Sequence, residues 1–202
     1  DDAGSDIGKI DYLVLNHMEP DHTGWLTELK EANPGLKIYC SKKSVALISA
    51  FYKIDDDVIA VGTGDSLDLG NGKVLSFVDA PNVHWPETMV TFETSTGVLF
   101  SCDAFGSFGQ VVDHVFDDEL TPEEVKFYEE ETLRYYANIV STFSGFVLKA
   151  IDKIKDLDIK VIAPSHGILW RKNPQKIVDD YKKLASYHNG PAEKEITLIW
   201  SS

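Results

Sequence analysis

Four residues of metal-ligand type, His17, Glu19, Asp21 and His22, fall within six positions directly after the apolar run 10–16. A chain with this cluster must carry the end of a strand to a place where two imidazoles and two carboxylates are neutralised together. Left alone, the carboxylates repel each other and all four groups hold water. A divalent or trivalent cation is the simplest partner that makes such a cluster favourable. Two arrangements without metal use the same residues: a polar surface loop, and a helix N-terminus with Asp21 as its cap.

The rest of the chain limits the partners. A length of 202 residues suits one α/β-sized domain with a full hydrophobic core. The net charge of −14 argues against nucleic acid, whose phosphates need a basic surface, and against anionic membranes. No apolar run approaches the roughly 20 residues of a membrane-spanning helix. Asp1-Asp2-Ala3-Gly4-Ser5 has neither the basic nor the apolar region of a leader, so the expected compartment is the cytoplasm. Cys40 and Cys102 do not make a disulfide framework and are expected to be buried free thiols.

Periodicity then places the cluster in a fold. The run 10–16 reads as a strand, 22–33 as a helix with Trp25, Leu26, Leu29 and Ala32 inward, and 36–40 as a second strand. Ser41 opens a helix to Tyr52 that turns Val45, Leu47, Ile48 and Phe51 inward. Such β-α-β-α alternation predicts a partly parallel sheet. Segments 58–61, 65–69, 73–78, 88–93 and 98–101 are short and rich in β-branched and aromatic residues. Asn71-Gly72 between two of them is a hairpin signal, so this part reads as antiparallel. Thr121-Pro122-Glu123-Glu124 is a capping box opening a helix to about Val140, and a second helix covers 145–157. A strand at 159–163 and a helix at 174–187 follow. Residues 188–195 have the composition of a linker, and 196–202 read as one more strand.

Three further polar residues stand where an apolar run gives way to a loop: His84, Asp103 and His166. Singly, each histidine is more often a hydrogen-bonded structural residue. With the opening cluster they make a set suited to two metals bridged by a carboxylate.

These motifs, His-x-Glu-x-Asp-His, His84-Trp85-Pro86, Asp103 after a strand and Pro164-Ser165-His166-Gly167, resemble the flavodiiron proteins (A-type flavoproteins) over nearly the whole chain. The resemblance implies an α/β (α+β) domain, a metallo-β-lactamase-like αββα sandwich of mixed sheets. That domain would cover 1–192 without its N-terminal portion, and 193–202 would form the linker and first strand of a flavodoxin-like domain. Hydrolases of the superfamily carry His where Glu19 stands, and that exchange marks the flavodiiron branch.

The resemblance also implies two iron ions, one on His17, Glu19 and His84, the other on Asp21 and His166, with Asp103 bridging. His22 would stand behind the ligands, and Tyr136 would approach the pocket as a proton donor, core packing being its alternative. Trp85, Phe105 and Phe108 would keep the pocket dry, or be plain core. The implied reaction reduces O₂ to water, NO to N₂O, or both, with electrons relayed through FMN on the flavodoxin-like domain. The implied donor is a rubredoxin-like protein or reduced deazaflavin, and the implied assembly a head-to-tail homodimer or tetramer. The ligand types alone also suit zinc. A diiron O₂ sensor without turnover and a dinuclear metallo-β-lactamase-type hydrolase are the alternative readings.

Overall fold

The computed structural model describes residues 6–112, 114–187 and 190. The linker and terminal strand expected at 188–202 fall almost wholly outside them. Eight strands form two sheets between helices. The first sheet takes β1 (Tyr12–Leu15), β2 (Lys37–Ser41) and β3 (Val58–Val61), all parallel. The second takes β4 (Ser66–Gly70), β5 (Lys73–Asp79), β6 (Met89–Glu93), β7 (Val98–Cys102) and β8 (Val161–Pro164) in that order. Neighbours run antiparallel except β7 and β8, so this sheet is mixed. Sequence alone put 58–61 with the antiparallel segments. The structure instead adds it to the parallel sheet, because α3 (Lys42–Tyr52) returns the chain beside β2.

Three groups of buried side chains define the layers. Leu15, Met18, Leu26, Ile38 and Ile48 pack the first sheet against α3 and α2 (Leu26–Ala32). Val61, Leu67, Phe77 and Met89 fill the space between the sheets. The largest group joins the second sheet to α4 (Pro122–Tyr135), α5 (Ser144–Ile154) and α6 (Pro174–Ser186) through residues such as Leu99, Val147, Ile162 and Tyr181. This is an αββα sandwich. No helix among the described residues is long and apolar enough to cross a membrane.

Local chemistry explains the element ends. The Ser41 hydroxyl accepts from Ser44 N at the start of α3, and Thr121 with Glu124 closes the capping box of α4. The helix expected over 22–33 is divided: a single turn, α1 (Pro20–Thr23), precedes α2. Trp25, at the break, is 76% exposed and Phe51 is 58% exposed, so neither packs inward as its spacing suggested. Lys30 is buried in their place on α2. Its ammonium donates to the Pro34 and Leu36 carbonyls and to Asp57, which removes the cost of burying it. After Tyr135 the fourth helix widens into a π-type turn, Tyr136–Val140.

Candidate metal centre

All the candidate ligands lie on loops that leave the strands. His17 and Glu19 follow β1, with Asp21 and His22 on α1; His84 sits between β5 and β6, Asp103 follows β7, and His166 follows β8. The first loop is tied across to the second sheet at Asn16. Its side chain donates to the Phe100 carbonyl at 3.1 Å and accepts from Thr91 Oγ1 at 2.7 Å, while its carbonyl accepts from Met89 N at 2.9 Å. Asp103 is held by a turn in which the Ala104 carbonyl accepts from Ser101 Oγ at 2.7 Å and the Cys102 carbonyl accepts from Ser165 N at 2.8 Å. Gly167, beside His166, has φ of +81°, and a β-carbon there would collide with Ser107 Oγ. Glycine is therefore the residue this turn admits.

The Asp103 carboxylate divides the cluster in two. Its Oδ2 lies 3.1 Å from His84 Nε2 and 3.4 Å from His17 Nε2, and both imidazoles also face Glu19 Oε2, at 3.1 and 3.3 Å. Its Oδ1 lies 3.0 Å from His22 Nε2 and 3.3 Å from His166 Nε2, and these face Asp21 at 3.5 and 3.4 Å. Yet both Asp103 oxygens and His22 Nε2 are buried with no hydrogen bond of acceptable geometry. Close approach without hydrogen bonding is what atoms show when they are directed at a shared point rather than at each other. Two ligands about 2.1 Å from one ion stand about 3.0 Å apart at a right angle and about 3.4 Å apart at the tetrahedral angle. The observed spacings match that range, so the residues fit a pair of metal ions bridged by Asp103.

Two residues given roles from sequence sit as follows. His22, expected behind the ligands, has its Nε2 3.0 Å from Asp103 Oδ1, the shortest of the imidazole approaches to Asp103. Asp21 and His22, adjacent on the one-turn α1, both face the same half of the site. Tyr136 does not face the cluster. Its hydroxyl is 2.7 Å from Ser144 Oγ and its ring is edge-on to Tyr181, inside the core. The preceding residue, Tyr135, is the one beside the site, with its ring centroid 5.8 Å from that of His166. Of the expected aromatic surroundings, Trp85 stands edge-on to His17 at 5.0 Å, Phe108 packs on Tyr135, and Phe105 belongs to the core against Tyr181.

Sequence reasoning passed over Glu87. It is buried, and its Oε1 accepts from His17 Nδ1 at 2.7 Å and from Met18 N at 3.1 Å. The available signal was an acid held between Pro86 and a buried strand, where a carboxylate needs a partner. Cys40 and Cys102 are buried free thiols as expected, each pushed up to about 12 by burial, so neither is a thiolate.

The electrostatics follow from crowding. Burial pushes the Asp103 carboxyl up, but the imidazoles of His166, His22 and His84 outweigh it and hold the group far below the usual carboxylate range. Asp103 in turn raises His22 and His166 against the opposing effect of burial. In the metal-free chain the raised histidines stabilise the fold below about pH 6.5, their unfolded value, and this is lost as pH rises through their folded values. The lowered Asp103 contributes above about pH 3.9 and is lost only as pH falls through its much lower folded value. Metal reverses the histidine dependence, because it binds the deprotonated rings. Thermal melts at pH 6 and 8 are expected to show the cluster's own contribution shrinking and the increment from added metal growing.

A sandwich of this topology with two half-shells sharing one carboxylate defines a metallo-β-lactamase-like domain with a dinuclear site. The description "ODP family beta lactamase" matches residues 3–167, and the chain belongs to that family, in its flavodiiron group. An anaerobic nitric oxide reductase flavorubredoxin of Aeromonas hydrophila is 41% identical over 99% of this chain. The chain spans 40% of that relative's length. Rubredoxin oxygen:oxidoreductase of Desulfovibrio gigas superposes with a TM-score of 0.85 at 32% identity, over 92% of this chain and 46% of that one. A flavo di-iron protein variant of Thermotoga maritima gives a TM-score of 0.82 at 32% identity, over 91% and 44%.

Proposed function

We propose that this chain is the di-iron catalytic domain of an oxidoreductase that reduces NO to N₂O, O₂ to water, or both. The observation that carries the reading is the pair of half-shells meeting at Asp103: His17, Glu19 and His84 on one side, Asp21, His22 and His166 on the other. In this reading His22 is a ligand. Glu19 supplies a hard, charged oxygen where a hydrolase of this fold carries histidine, which favours the ferric state. The kinship with a nitric oxide reductase flavorubredoxin and with rubredoxin oxygen:oxidoreductase supports the two substrates, and both support a rubredoxin-type electron donor.

When bound, the two irons would supply the electrons and the position at which the diatomic binds. The protein's own part is placement and protons. Asp103 holds the two halves at a fixed separation. The wall formed by Trp85 and Tyr135 limits water at His17 and His166. Tyr135, whose ring lies 5.8 Å from that of His166, is the proton donor in this reading. Burial keeps its phenol protonated, with the negative charge of Asp103 acting the same way. FMN belongs, in this proposal, to a flavodoxin-like unit and reaches the irons across a head-to-tail dimer.

Metal analysis of the purified protein is expected to give two irons per chain, and anaerobic addition of NO, or of O₂, under a supplied reductant to give turnover. Tyr135→Phe should keep two irons and slow turnover by about 10²-fold or more if the phenol serves as general acid. Zinc alone, with no turnover of either gas, would sink the reading.

A further inference from the structure

Glu87 has no role in the ligand set, yet it is 3% exposed and sits directly behind it. A buried carboxylate so close to Glu19 and Asp103 is costly unless something cationic or strongly donating answers it. Among the described residues no lysine or arginine pairs with it; its partners are His17 Nδ1 at 2.7 Å and Met18 N at 3.1 Å. The carboxylate can only accept, so Nδ1 of His17 carries the proton and Nε2 presents its lone pair to Glu19 and Asp103. Thr88 Oγ1 is a weaker second neighbour of the same nitrogen, at 3.4 Å. The ring is then closed in from the side by Trp85.

The other three imidazoles lack this arrangement. Every approach of His22, His84 and His166 to a carboxylate among the described residues is made through Nε2, on the face turned to the site. The two halves of the centre therefore differ in what stands behind them. One has a carboxylate–imidazole pair, and the other has imidazoles with no anionic backing among the described residues.

We infer that Glu87 is a positioning residue of the metal centre. It fixes the ring and tautomer of His17 and makes the metal on His17, Glu19 and His84 the more tightly held and more electron-rich of the pair. The inference rests on the di-iron reading above. A carboxylate donating electron density through His17 stabilises the ion of higher charge, so it lowers the reduction potential of that iron alone. The same hydrogen bonds stop the ring from turning away when the metal leaves, which slows exchange.

The experiment compares the iron-loaded native protein with Glu87→Gln. The readouts are iron release to a chelator and a potentiometric titration followed by electron paramagnetic resonance. Release is expected to quicken by about 10–100-fold. One of the one-electron potentials should rise by about 59 mV, the equivalent of a tenfold loss of ferric preference, while the other stays put. Glu87→Asp and Glu87→Asn have equal reach and differ in charge, so they read the same effect if the glutamine variant fails to fold; the aspartate variant should hold iron the better of the two. Unmoved potentials and release within twofold of wild type, with two irons bound, overturn the inference, as does equal damage from Asp and Asn. Failure of the di-iron reading looks different. The wild type itself would then show no redox steps, and release of zinc in its place would still test what Glu87 does for His17.

Discussion

Replacing Asp103 with asparagine is expected to cost the chain both metals, leaving fewer than one per chain after dialysis. Each oxygen of this side chain serves a separate half of the site: Oδ1 faces His22 and His166, and Oδ2 faces His17 and His84. Removing a residue that merely backs a ligand typically lowers metal affinity about 10–100-fold. Here a charged inner ligand is lost at two ions at once, so the decrease at each should be at least that large. Asp21→Asn is the matched control, because Asp21 approaches only His22 and His166. That variant should keep one metal. Retention of two metals by the Asp103 variant would show that the carboxylate does not bridge.

Tyr181→Ala is expected to give the largest loss of stability, about 3–5 kcal/mol as for other large aromatic truncations, read by thermal or urea unfolding of the metal-free chain. Tyr181 has 0% exposure, packs its ring against Phe105 and Tyr136, and donates through its hydroxyl to the Gly106 carbonyl at 2.8 Å. In a domain of this size each kcal/mol lowers the melting temperature by about 2–4 °C, so a fall on the order of 10 °C should be seen. Tyr181→Phe keeps the packing and leaves the Gly106 carbonyl without its donor, which costs about 1–3 kcal/mol. The contact also ties α6 to the Asp103 loop, since Gly106 N donates to the Asp103 carbonyl at 3.2 Å. Metal release should therefore quicken in the alanine variant as well. A loss below about 1 kcal/mol would mean that the core around α6 closes over the gap.

Much of this protein could be read from its residues. Alternation of apolar runs with capped helices located all eight strands and put six of them in their correct sheets. β3 was placed in the wrong sheet and β8 in none, because a four-residue apolar strand carries no mark of its neighbour's direction. Ligand type and spacing singled out His17, Glu19, Asp21, His84, Asp103 and His166 from loops far apart, and the resemblance supplied their division into two shells, with His22 left behind them.

What sequence could not supply was orientation. Tyr135 and Tyr136 are adjacent and equally aromatic, and they differ by about 100° around the helix axis. Only the packing of this segment against the loop after β8, α5 and α6 decides that the first meets His166 and the second meets Ser144. His22 reads as surplus beside three better-placed histidines until α1 stops after one turn and brings it to Asp103. Glu87 is one acid among 33 acidic residues, and nothing local marks it until the sheets close and His17 arrives 2.7 Å away. The chain alone thus determined which chemistry is present, because ligand identity and strand ends are local properties. The tertiary structure decided which groups meet around Asp103 and which stand behind them, because that depends on contacts between loops some 65 to 84 residues apart.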